Sequence, residues 1–93
     1  MKSVQEAPLA HYVREYSALP GLQPAHRVEY TLRRSNTMLC FSARRSSEAA
    51  PVSYYTAALE EVPACRLLCY LYENSIGPEQ LRDVLSDFCG RTL

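Results

Sequence analysis

A chain of 93 residues with no net formal charge and 47% hydrophobic residues is sized for one globular domain. At that length folding hides roughly 60–65% of the surface the unfolded chain exposes, so the core is thin. No apolar run approaches bilayer-crossing length, and the opening residues Met1-Lys2-Ser3-Val4-Gln5-Glu6 lack the apolar stretch of a signal peptide. The expected location is the cytoplasm, with no membrane partner and with Cys40, Cys65, Cys69 and Cys89 as free thiols.

In chain order, residues 1–8 read as a frayed leader ending at Pro8. Residues 11–19 are ambiguous: period 2 aligns Tyr12, Arg14, Tyr16 and Ala18, whereas period 3.6 aligns Leu9, Tyr12, Val13 and Tyr16. A strand is the preferred reading, ended by the turn-rich Pro20-Gly21-Leu22-Gln23-Pro24. Residues 26–45 form a hairpin. With Ser35-Asn36 as a two-residue loop, Arg34 pairs with Thr37, Leu32 with Leu39, Tyr30 with Phe41 and Val28 with Ala43. Apolar side chains then meet on one face. The other face receives Arg27, Glu29, Thr31 and Arg33 against Arg44, Ser42, Cys40 and Met38, a mixed and partly wet surface.

After a polar loop, 46–51, residues 52–59 read as a further antiparallel strand with Tyr54 and Tyr55 on opposite faces. The C-terminal third, 62–90, reads as two helices. Pro63 lies near the start of the first, Val62 is a poor cap, and Cys65, Leu67, Leu68, Cys69, Leu71 and Tyr72 give it a wide apolar face, the more buried of the two. In the second, Leu81, Val84, Leu85 and Phe88 recur at i, i+3, i+4 and i+7. Pro78 suits its first position, Gly90 its end, and Gly77 as N-cap puts Ile76 and Leu81 at the spacing of a hydrophobic staple. The expected fold is α+β: a single domain in which a small antiparallel β-meander of three or four strands, spanning 11–59, is followed by two C-terminal helices packed on one face.

Charge is unevenly spread. Residues 1–45 carry about +4 and 46–93 about −4, an asymmetry that lets the two halves attract. Two candidate contact surfaces follow. One is the arginine set of the sheet, Arg27, Arg33 and Arg44 on one face together with Arg34 and Arg45. The other is the last helix, with Glu79, Asp83 and Asp87 at i, i+4 spacing and Arg82 beside them. The acidic helix would repel phosphate, so the arginine face alone carries the alternative reading, RNA or single-stranded DNA binding. The thiols support a third, a metal or redox site, but Cys65 and Cys69 on one helix lack the paired turn spacing of structural zinc. The two histidines, His11 and His26, sit in no catalytic pattern, and Gly occurs three times, too few for a phosphate-cradling loop. The expectation is a non-enzymatic protein without catalytic residues, cofactor or metal.

The run 71–88, with Asn74, Pro78, Leu81, Arg82, Asp83, Val84, Asp87 and Phe88 at its defining positions, resembles the C-terminal segment of a family of small uncharacterised proteins from clostridia and related Firmicutes. The resemblance is confined to the C-terminal helical third of the chain. The departures are Glu61-Val62-Pro63-Ala64, where a Ser/Asp-type helix start would be expected, and a poorly matching hairpin. The resemblance implies a bacterial cytoplasmic origin and a fold, and no mechanism. The leading functional expectation is a protein-interaction, accessory or regulatory module. An exposed edge strand, 12–18 or 52–59, could pair with a partner or form a homodimer.

Overall fold

A computed structural model describes residues 8–57 and 59–89. The leader assigned to 1–8 and the stop at Gly90 therefore fall largely outside the described residues. Strands β1 (Ala10–Tyr16), β2 (His26–Ser35), β3 (Met38–Arg45) and β4 (Val52–Thr56) precede helices α1 (Glu61–Glu73) and α2 (Pro78–Cys89). Each strand pairs antiparallel with the next, in the order β1-β2-β3-β4. Both helices lie on one face of the sheet, α1 over β1 and β2, α2 over β3 and β4. The fold is thus α+β, a four-stranded meander covered by an αα-hairpin.

The period-2 pattern of the strands determines which face is covered. Val28, Tyr30 and Leu32 of β2 and Leu39, Phe41 and Ala43 of β3 are buried against Ala64, Leu68 and Leu71 of α1 and Leu81 and Leu85 of α2. Tyr12, Tyr16, Val52 and Tyr54 complete that layer from the edge strands. The opposite face carries Arg27, Glu29, Thr31 and Arg33 beside Cys40, Ser42 and Arg44.

The hairpin register differs from the expected one. Ser35 pairs with Met38, so the loop is Asn36-Thr37; Leu32 faces Phe41, Tyr30 faces Ala43 and Val28 faces Arg45. Asn36 has φ 57°, a left-handed conformation that Asn tolerates better than Ser. Making Asn36 the first loop residue moves every partner by two positions, and an even shift leaves each side chain on its expected face.

Several boundaries also shift. β1 stops at Tyr16 and β4 at Thr56, both short of the expected 19 and 59. Helix α1 starts at Glu61, with Glu60 rather than Val62 at the N-cap and no side-chain capping bond. Pro63 is consequently the third helical residue, where its missing N–H costs no intrahelical bond.

The turn between the helices is closed by backbone bonds. Ile76 N–H donates to Leu71 O at 3.0 Å and Ser75 N–H to Tyr72 O at 3.2 Å, the paired bonds of a Schellman motif. Ser75, at φ 55°, holds the left-handed position usually given to Gly. Two residues later Gly77 caps α2: its N–H donates to Gln80 Oε1 at 3.2 Å, while Gln80 N–H donates to Gly77 O at 2.9 Å. This is a capping box whose N-cap side chain is absent.

The end of α1 is also held from the sheet. Arg14 Nε donates to Tyr72 O at 2.9 Å, and its guanidinium lies 4.8 Å from the Tyr72 ring centre. The last turn of α1 has no basic residue of its own, so β1 supplies the cation that the helix C-terminus favours. Tyr12 stacks on the same ring at 5.0 Å. Tyr30 donates its hydroxyl to Ile76 O at 2.8 Å, and burial pushes the Tyr30 phenol up to about 12.

Candidate interaction surfaces

The five sheet arginines do not form one surface. Arg34 and Arg45 are on the helix-covered side of their strands and turn to acids in the first helical turns. Arg34 bonds Glu61 at the start of α1. Arg45 grips Glu79 of α2, with Nη1 3.0 Å from Oε1 and Nη2 3.4 Å from Oε2. The Arg45 bond holds the Glu79 carboxyl below its ordinary range and raises the guanidinium in return. The charge asymmetry of the two halves thus becomes two ties between the sheet and the helical N-termini, which also favour acids by their dipoles.

On the open face, Arg44 donates to Glu48 O at 2.9 Å and reaches Glu29 Oε1 at 3.4 Å. Arg27 stands opposite Glu15 of β1. Arg33 is the exposed cation of a shallow polar hollow of about 200 Å³, lined by Glu29, Thr31, Arg33, Ser42, Arg44 and Pro51. Thr31 and Ser42 face each other across the strands and are nearly buried by their longer neighbours. Of the arginine set, only Arg27, Arg33 and Arg44 share this face, and Glu15 and Glu29 are interleaved with them.

The acidic stripe is broken for the same reason: Glu79 is engaged by Arg45. Arg82 donates to Ser53 O at 3.2 Å, tying α2 to β4. Asp83 and Asp87 are exposed and have no ion pair among the described residues.

The thiols are dispersed. Cys40 is on the open face beside Tyr55, whose phenol it raises by hydrogen bonding; Cys69 does the same to Tyr12 from the flank of α1. Cys89 lies by Thr56, its thiol pushed up by burial. Among the described residues no three of His, Cys, Asp and Glu gather around a common point.

The surface that sequence reasoning missed lies between the helices. Because α1 and α2 rest on different strand pairs, their facing flanks leave an apolar groove of about 390 Å³, lined by Leu59, Pro63, Arg66, Leu67, Tyr70 and Phe88. Phe88, expected to complete the buried stripe of α2, is 52% exposed, and Tyr70 is 41% exposed. Their rings meet edge to face at 5.4 Å, bridging the groove instead of filling the core. The signal was present in the apolar Leu67 and Tyr70, which lie off the axis of the buried Ala64, Leu68 and Leu71 stripe. A width beyond what one sheet can cover marks a second contact.

Both sheet edges, β1 and β4, are free of further strands among the described residues. No helix of the described residues is long and apolar enough to cross a membrane. Set against protein-family models, curated proteins and solved structures, the chain has no match.

Proposed function

We propose that this chain is a non-enzymatic protein-interaction module, a small accessory or regulatory protein of a bacterial cytoplasm, and that it docks its partner through the helical layer. The observation that carries this reading is the apolar groove bridged by Tyr70 and Phe88. Clustered exposed aromatics around a hollow are the composition of interaction hot spots, whereas singly scattered apolar residues are ordinary surface. The alternative, nucleic-acid binding by the arginines, is weakened by Arg34 and Arg45 being engaged with Glu61 and Glu79. The bacterial and cytoplasmic parts rest on the family likeness of 71–88 and on four unpaired thiols.

The test is capture of partners from a bacterial lysate by the tagged full chain and by its Phe88→Ser variant, each with and without nuclease. A protein retained by the parent chain through nuclease treatment and lost with Phe88→Ser supports the reading. Capture that disappears with nuclease, or that is the same for both chains, sinks it.

A further inference from the structure

We infer that the groove between α1 and α2 receives an amphipathic helix of a partner protein, with Lys or Arg along the flank that faces α2. This deepens the docking role proposed above and rests on it.

The flanks of the two helices can be assigned from their contacts. On α2, Arg82 bonds Ser53 and Cys89 lies by Thr56, so that flank turns to β4. The opposite flank, at 100° per residue, carries Gln80, Val84 and Asp87 and faces α1. On α1, Tyr72 stacks on Tyr12 and Cys69 lies by it, so that flank turns to β1. Its opposite flank carries Pro63, Leu67 and Tyr70 and faces α2, in agreement with the lining of the groove.

An apolar floor therefore lies between unlike rims. Arg66 borders it on α1. Asp87 follows the groove-facing flank of α2, and Asp83 lies one turn earlier on the outer surface; neither has an ion pair among the described residues. Pro63 and Tyr70 are seven residues apart, roughly 10 Å along a helix axis. That is the length of an i, i+3/i+4, i+7 apolar ridge on a docking helix, the usual way a helix enters a groove. With two acids on one side against one arginine on the other, complementarity selects a basic flank over α2 and disfavours an acidic one. The same acids oppose an anionic lipid surface as occupant.

The probes are two fluorescent model helices with identical Leu spacing, one with Lys on its flanks and one with Glu. Each is titrated into the full chain and followed by anisotropy. The Lys helix is expected to saturate at one per chain and to bind about tenfold or more tighter than the Glu helix at low salt. Asp83→Lys/Asp87→Lys should reverse that order, and Phe88→Ser should remove saturable binding of both, with circular dichroism showing that each variant is folded. Equal affinity for both helices, an order unmoved by charge reversal, or no saturable binding overturns the inference. So does a dimer in sedimentation velocity that Phe88→Ser abolishes, since the occupant is then a second copy. If the model helices fail while a lysate partner still depends on Phe88, the docking role stands and the helical, basic occupant alone is wrong.

Discussion

The two faces of this sheet are built by the same strands and could hardly differ more. On the covered face, residues at alternate positions of β2 and β3 are apolar and excluded from water. On the open face, hydroxyls, two acids and three arginines share a polar surface that includes a shallow hollow. The period-2 geometry of a strand lets one segment encode both. The difference teaches where free energy resides: the covered face holds the fold, and the open face is free to change. The helices obey a similar division, burying one stripe and leaving a second apolar flank to the groove.

Substitutions on the two faces should separate widely. Phe41→Ala, at the centre of the covered face, is expected to cost about 3–5 kcal/mol through lost burial and the cavity it leaves. Arg33→Ala on the open face should stay within about 0.5 kcal/mol. Urea unfolding of both variants checks this, and similar losses would break the comparison.

Tyr30→Phe should cost about 1–2 kcal/mol, because it deletes the bond to Ile76 O and leaves a part-buried carbonyl unpaired. It should also alter the alkaline limb. The folded Tyr30 phenol lies at about 12, above roughly 10 in the unfolded chain. Its contribution is complete below pH 10 and fades as pH climbs toward the folded value. Stability measured from pH 9 to 12 should fall less steeply in the Phe variant; parallel curves would place the alkaline loss elsewhere.

Ser75→Gly is expected to raise stability by about 1 kcal/mol, since it relieves a left-handed backbone at a helix end that already has its Schellman bonds. A thermal midpoint that does not rise would show that Ser75 makes a compensating contact. Glu79→Gln should also have a small effect, less than about 1 kcal/mol for so exposed a pair. Because Arg45 lowers the Glu79 carboxyl, its contribution is complete above the ordinary carboxylate range and is lost as pH falls through the lowered value. The variant should therefore match the parent chain in strong acid and differ near neutrality. Gly77→Ala probes the same pair from another side, because a Cβ there would come within 2.6 Å of the Glu79 carboxylate. The flexible Glu79 side chain should yield, and its titration should return toward an ordinary carboxyl.

Much of the fold was legible because it depends on short-range pattern. Alternation in 26–45 placed each side chain on its face, and the Leu81, Val84 and Leu85 spacing gave α2. The Gly77-Pro78 start was readable from backbone chemistry alone. Apolar matching favours the Ser35-Asn36 loop, but the Asn36-Thr37 loop keeps every side chain on the same face at the cost of setting Val28 opposite Arg45, and it accommodates the left-handed φ at Asn36. The candidate surfaces fared less well. Charge counts along the chain could not show that Arg34 and Arg45 reach across to Glu61 and Glu79, since those ties exist only once the helices lie on the sheet. Phe88 was misplaced for a related reason: a helical stripe records which residues share a side, and the extent of the surface beneath decides which of them are covered.

The turn at Asn36 also has a bearing on time. Every strand pairs with its sequence neighbour, so the sheet assembles through short loop closures, whereas the bond from Arg14 to Tyr72 spans 58 positions and must await them. The β2–β3 hairpin is the expected nucleus, and its turn requires the left-handed backbone at Asn36. Asn36→Gly should accelerate refolding and leave the unfolding rate nearly unchanged, as expected of a residue already native-like at the barrier. A chevron displaced only in its unfolding limb would instead put the turn late, and make docking of the helices the event that organises the chain.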